Sequence, residues 1–149
     1  MRAVVQRVSE ASVVVDGEAV GAIGPGLLVY LGVDRADRDE DVQYIAEKVR
    51  HLRIFPDADE KMNLDISQAC GMVLVVSAFT LQADARKGRR PSFEGAAAGD
   101  AARLPYENLC EALSRFGLTV ERGQFGAVMQ VRSFNAGPVC ILLDSRREF

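Results

Sequence analysis

The residues in this chain that could do chemistry fall in four short segments. Ser77-Ala78-Phe79-Thr80-Leu81 sets two hydroxyls and several backbone N–H groups where an apolar run ends. At a strand end such groups can meet a polar substrate while the strand holds them rigid, although Ser and Thr also end strands with no further role. Asn135-Ala136-Gly137-Pro138-Val139-Cys140 lies between two apolar runs and reads as a turn. Its Gly-Pro pair permits a close backbone approach and a fixed φ. Arg86, Lys87, Arg89 and Arg90 crowd around Gly88, and Arg90-Pro91-Ser92-Phe93 follows. Such a loop could bind phosphates and stack an aromatic ring on a base, and its composition also suits a solvated face. Finally, Gln6-Arg7 interrupts a valine-rich stretch. An inward arginine there needs hydrogen-bond partners and an outward one does not, so an outward Arg7 is expected.

The residue inventory narrows the chemistry further. His51 is the only histidine, which excludes a His-rich zinc site and leaves a Ser-His-Asp triad possible only around His51. Cys70, Cys110 and Cys140 are far apart, odd in number and without a C-x-x-C pair, so they read as reduced, mostly buried thiols.

The elements that must position these segments follow from periodicity and turn signals. Ala3–Val15 is valine-rich and ends at Asp16-Gly17, a hairpin turn. After Gly24-Pro25-Gly26, the run Leu27–Leu31 is apolar at every position and suits a central strand buried on both faces. Val42, Ile45, Ala46, Val49 and Leu52 recur at helical spacing, Arg53-Ile54-Phe55 predicts a short strand, and Met72–Phe79 a strongly apolar one. Thr80–Gly99 is loop-like and long, as functional loops often are. Tyr106, Leu109, Cys110, Leu113 and Phe116 predict a second helix over about Asp100–Phe116, with Pro105 implying a later start or a kink. Leu118–Arg122, Ala127–Ser133 and Val139–Asp144 complete the set as strands. The order predicts an α+β fold, with two helices packed on a mostly antiparallel or mixed sheet, in a single domain over 1–149.

Composition agrees with one well-filled core: 149 residues, 48% hydrophobic and 26% charged. No apolar run approaches the roughly 18 residues of a membrane span, and Arg7 interrupts the N-terminal apolar stretch, so a cytoplasmic protein without a membrane partner is expected. A net charge of -3 argues against broad nonspecific nucleic-acid binding, while leaving local basic patches open.

In order along the chain, these segments resemble the D-aminoacyl-tRNA deacylase family. The resemblance runs through Gln6-Arg7-Val8, Gly26-Leu27-Leu28-Val29, Arg53-Ile54-Phe55, Lys61-Met62-Asn63-Leu64, Leu74-Val75-Val76-Ser77-x-Phe79-Thr80-Leu81, Arg90-Pro91-Ser92-Phe93, Met129-Gln130-Val131 and Asn135-x-Gly137-Pro138-Val139. It implies a homodimeric hydrolase that cleaves the ester between a D-amino acid, or sometimes glycine, and the terminal ribose of tRNA, with no metal or other cofactor. It also implies a cis Gly137-Pro138 pair that enters the other subunit's site, where its carbonyls read the amino group and crowd out an L side chain.

By the same resemblance, catalysis falls to main-chain groups around Ser77, Phe79 and Thr80 with help from the ribose 2′-hydroxyl. Thr80 is taken as a positioning group, because the sequence identifies no base to activate it. Gly137, Pro138, Ala78 and Arg7 are the expected substrate-binding and chirality-selecting residues, and Arg86, Lys87, Arg89 and Arg90 the expected tRNA contacts. Two positions depart from the family pattern: Ala78 stands where Gln is usual and Cys140 where Thr is usual. A Gln amide at position 78 is expected to brace the site and Arg7, so its loss bears on rate or substrate range. Cys140 is expected to pack. The alternatives are a deacylase of altered substrate range and a catalytically silent tRNA-binding dimer.

Overall fold

The computed structural model describes residues 1–149. Its centre is β1 (Arg2–Val15), a 14-residue strand long enough to serve several neighbours. Asp16 and Gly17 both take positive φ, 50° and 87°, and return the chain as β2 (Glu18–Ile23) against the second half of β1. β3 (Gly26–Gly32) then pairs antiparallel with the first half, Arg2 opposite Gly32 through Val8 opposite Gly26. β6 (Met72–Ser77) and β7 (Val120–Arg122) extend the sheet in parallel, and β8 (Gln130–Asp144) lies antiparallel along the free side of β1. The sheet is therefore mixed. β4 (Phe55–Pro56) and β5 (Met62–Leu64) form a separate small hairpin.

Helix α1 (Asp39–His51) starts where Asp41 accepts the Arg38 N–H at 2.8 Å, and it buries Val42, Ile45, Ala46 and Val49. Helix α2 (Gly99–Arg115) buries Ala102, Tyr106, Leu109, Cys110, Ala112 and Leu113, and it begins ahead of Pro105 and continues past it, so the start is not delayed. The apolar stripe outweighs the hydrogen bond that proline removes. Both helices pack on one face of the sheet, with Leu27, Val29 and Leu31 beneath them; Leu28 points the other way, into a second apolar layer with Val13, Leu74 and Val76. Burial of β3 on both faces is as expected, and so is the α+β class.

The structure corrects several boundaries. The strand expected at Arg53–Phe55 is the two-residue β4, and Met72–Phe79 stops at Ser77, after which Phe79–Gln82 forms a turn of 3-10 helix. The segments Ala127–Ser133 and Val139–Asp144 are not two strands around a turn. Gln130–Ser133 and Val139–Asp144 belong to the single strand β8, because β1 is long enough to hold both halves, and Ala127–Met129 precede it outside any strand. Of the three cysteines only Cys110 is buried; Cys70 and Cys140 are exposed, and the Cys140 sulfur accepts from the Gln6 amide at 3.8 Å. No helix is long and apolar enough to cross a membrane.

Candidate active site

The end of β6 is fixed before it opens. Ser77 pairs with Leu31, and the Ala78 N–H donates to the Leu31 carbonyl at 2.8 Å. The 3-10 turn follows, its Ala78 carbonyl accepting the Leu81 N–H at 3.1 Å and its buried Gln82 donating to the Gly32 carbonyl at 2.8 Å. Gly32 has no side chain to obstruct this, since a Cβ there would lie 2.8 Å from Leu81 Cβ. Phe79 and Thr80, the first residues of the turn, are exposed, and their N–H groups have no acceptor within it.

These residues border a groove of about 670 Å³. Ser77, Ala78, Phe79 and Thr80 line it together with Tyr30, Tyr106, Phe125–Ala127 and Met129. Tyr106 is held by its hydroxyl, which donates to the Val75 carbonyl at 3.0 Å. Phe79 and Phe93 meet edge to face at 5.2 Å. The lining contains no Asp, Glu, His, Lys, Arg or Cys. Burial raises the pKa of both lining phenols, so they stay neutral. His51 lies on α1, exposed beside Glu47 at 3.2 Å and outside the groove, which removes the remaining route to a histidine triad here. The sequence marked Ser77–Thr80 but not Tyr30, Tyr106, Phe125 or Met129. A tyrosine inside the apolar run Leu27–Leu31 was one available signal, since its hydroxyl needs a polar outlet, and the motif Met129-Gln130-Val131 was another.

The long segment between β6 and α2 is tied down at both ends. Asp84 and Ser92 exchange backbone hydrogen bonds at 2.8 and 2.9 Å, and the Ala97 N–H donates to the Val33 carbonyl at 2.9 Å. The basic residues project from the closed tip, with Phe93 at its base in the groove. They are unequal. Arg86 is held bidentately by Asp84, at 2.9 and 2.6 Å, so the four cations do not add up to four free charges. Lys87, Arg89 and Arg90 are exposed and form no ion pair.

Arg7 turns inward, against expectation. It is half-buried, and its guanidinium donates from Nε to the Ala136 carbonyl at 2.7 Å and from a second nitrogen to the Ile54 carbonyl. These two carbonyls supply the partners that burial requires. Ala136 leads into Gly137-Pro138, whose peptide bond is cis. Within one chain this assembly is remote from the groove. Arg7 is in register with Leu27 and Val73, whereas Ser77 is in register with Leu31 and Ala3, four residues or roughly 13 Å further along the strands. A Gln at position 78 therefore cannot brace the Arg7 of its own chain, and Arg7, Gly137 and Pro138 are absent from the groove lining.

Residues 4–144 match the model of the D-Tyr-tRNA(Tyr) deacylase family. A D-aminoacyl-tRNA deacylase of Anaeromyxobacter dehalogenans (strain 2CP-C) is 58% identical over 149 residues, covering 100% of both chains. The D-aminoacyl-tRNA deacylase of Syntrophobacter fumaroxidans (strain DSM 10017 / MPOB) is 53% identical over 149 residues, again covering 100% of both. Among solved structures, the c-Myc DNA Unwinding Element Binding Protein superimposes with a TM-score of 0.91 at 38% identity, over 97% of this chain and 98% of that one. A probable eukaryotic D-amino acid tRNA deacylase shares the fold, with a TM-score of 0.80 at 19% identity over 95% of this chain and 97% of that one.

Proposed function

The chain belongs to the D-Tyr-tRNA(Tyr) deacylase family, and we propose that it hydrolyses the ester joining a D-amino acid to the terminal ribose of tRNA in a site completed by two copies of the chain. Its activity is that of a hydrolase on the aminoacyl-tRNA ester bond.

The observation that carries the composite site is a separation within one chain. Ser77 and the Arg7 position over which Gly137-Pro138 stands are four residues, roughly 13 Å, apart along the strands, and neither Gly137 nor Pro138 lines the groove, so in this reading the Gly137-Pro138 that meets the substrate is supplied by a second copy. A row of apolar side chains supports the pairing: Leu142, Val4, Tyr30 and Val76 are neighbours across four strands, and this row runs from the exposed edge strand into the groove. Leu142 is 60% exposed and Phe134, further along β8, 65%. Apolar surface left open beside a groove is what a second copy would cover.

The chemistry suits a groove without an ionised base. An aminoacyl ester is already activated, so the site has to orient it and stabilise the oxyanion as water adds to the carbonyl. The backbone N–H groups of Phe79 and Thr80 take that second role, with Ser77 holding the strand end. The substrate's own 2′-hydroxyl assists proton movement, and collapse of the tetrahedral species releases the D-amino acid and leaves the ribose oxygen protonated. Thr80 positions rather than attacks, since no base adjoins its hydroxyl. The Gly137 and Pro138 carbonyls of the second copy accept from the substrate ammonium and leave no room for an L side chain; glycine, having none, passes. Lys87, Arg89 and Arg90 receive tRNA phosphates, with Phe79 and Phe93 at the mouth.

Parallel hydrolysis of D-, L- and glycyl-tRNA, with sedimentation of the same preparation, tests this reading. Cleavage of D- and glycyl-tRNA with L spared, by a dimer, is expected. Equal cleavage of D and L, or full D-selective activity in a monomer at micromolar concentration, would refute the composite site. Binding of tRNA without hydrolysis would make the chain a silent relative.

A further inference from the structure

β8 departs from the register of β1 most strongly at one place. Gln6 faces Cys140 and Val8 faces Asn135, so the single residue Arg7 stands opposite Ala136, Gly137, Pro138 and Val139. The surplus residues form an arch over Arg7. A side chain closes its base: Asn135 Oδ1 accepts the Val139 N–H at 2.7 Å, and Asn135 Nδ2 donates to the Val139 carbonyl at 2.9 Å.

This amide substitutes for a missing strand partner. β1 cannot pair with four residues through one, and Asn135 satisfies both polar groups of Val139 instead. Arg7 takes the Ala136 carbonyl. No side chain of the chain donates to the remaining carbonyls, those of Gly137 and Pro138. The bracket therefore fixes both feet of the arch and leaves its crown for an outside donor.

We infer that Asn135 is a positioning residue for stereochemical selection. Without touching the substrate, it sets where the Gly137 and Pro138 carbonyls stand, and the inference rests on the reading of that pair as the selectivity element. The side chain is specific to the task. Ala removes both hydrogen bonds. Asp is nearly isosteric and keeps the acceptor for the Val139 N–H, but it sets a carboxylate against the Val139 carbonyl.

The test compares wild type, Asn135→Ala and Asn135→Asp on matched D- and L-aminoacyl-tRNA. It measures kcat and KM separately for each enantiomer, with thermal denaturation and sedimentation on the same samples. The D-to-L ratio of kcat/KM is expected to fall about tenfold or more in Asn135→Ala and less in Asn135→Asp, both variants remaining folded. Either folded variant keeping the wild-type ratio overturns the inference. If Asn135→Ala does not fold, Asn135→Asp decides alone; if neither folds, Asn135 is a residue of stability and the inference fails. A wild type that does not distinguish D from L overturns the reading of the arch itself, which is a separate result visible before any variant is made.

Discussion

The Arg7 guanidinium donates to the Ala136 carbonyl at 2.7 Å, joining residues 129 positions apart at the foot of the Gly137-Pro138 arch. The same group reaches the Ile54 carbonyl, so one planar fork ties the arch to the segment between α1 and β4. A lysine ammonium is a single point on a flexible stem and cannot hold both carbonyls in a fixed plane. Arg7→Lys should lower D-aminoacyl-tRNA hydrolysis about tenfold and Arg7→Ala further, with rates of both variants measured against D and L substrates. A fully active Arg7→Lys would show that the fork is dispensable.

Gly137→Ala should cost more than any change around it. The collision it creates lies inside the arch itself, before any substrate of a neighbouring copy is reached. A Cβ would stand 2.7 Å from Val139 Cγ2, 2.8 Å from Val139 N and 3.2 Å from an Arg7 nitrogen. The Val139 N–H is the one Asn135 holds, so the arch must reshape. Activity or D-to-L discrimination should fall while the circular-dichroism spectrum of the sheet stays that of wild type. Unchanged kinetics would mean that the arch relaxes without consequence.

Ala78→Gln should act on rate alone. Position 78 borders the groove and lies beyond Ser77, itself four residues, roughly 13 Å, along the strands from its own chain's arch. A returned amide can offer one or two hydrogen bonds at the groove mouth, worth about 0.5–1.5 kcal/mol each. A rise of a few-fold in the D rate at constant D-to-L ratio is expected from single-turnover assays. A changed ratio would link position 78 to chirality.

The basic tip should respond unevenly to charge removal. Asp84 neutralises Arg86, while Lys87, Arg89 and Arg90 are free to meet phosphates. Replacing those three with Ala should weaken tRNA binding and flatten the log-affinity against log-salt slope by about 0.7–0.9 for each phosphate no longer neutralised. Arg86→Ala should change the slope least. A slope unaffected by the triple change would assign the run to solvated surface.

The carboxylates around the N-terminus should contribute to acid stability. Burial works to raise the Asp34 carboxyl, but the Ala36 N–H at 2.9 Å and Arg146 at 2.7 Å outweigh it and hold it below its ordinary value of 3.8. Asp41 is likewise lowered, burial being overcome by the Ser145 hydroxyl and the Arg38 N–H. Asp37, beside the Met1 ammonium, is instead raised, chiefly by burial. A lowered carboxyl gives stability that is complete above the unfolded value and lost as pH falls through the folded one. A raised one has the opposite sign, its contribution declining as pH rises from about 3.8. The melting temperature should therefore drop below about pH 4, and Asp34→Asn should flatten that drop. Asp37→Asn should not flatten it; if it does, the sign assigned to Asp37 is wrong.

The sequence by itself determined the local elements and their order. Positive-φ residues at Asp16-Gly17, an unbroken apolar run at Leu27–Leu31 and helical stripes over α1 and α2 are decided by neighbours in the chain, so they could be read there. The order of short motifs also identified the family. The direction of Arg7, the arch, the merging of two expected strands into β8 and the base-free lining of the groove were decided only by tertiary structure. Each depends on a pairing between distant residues: Arg7 is turned inward by a carbonyl at Ala136 and another at Ile54. The arch exists because β1 offers one residue where β8 has four. Register between strands far apart in sequence is set by the packing of the whole sheet, and no local pattern encodes it. For the same reason the segments at Ser77–Thr80 and Gly137-Pro138, which the motif order groups together, stand roughly 13 Å apart along the strands of a single chain.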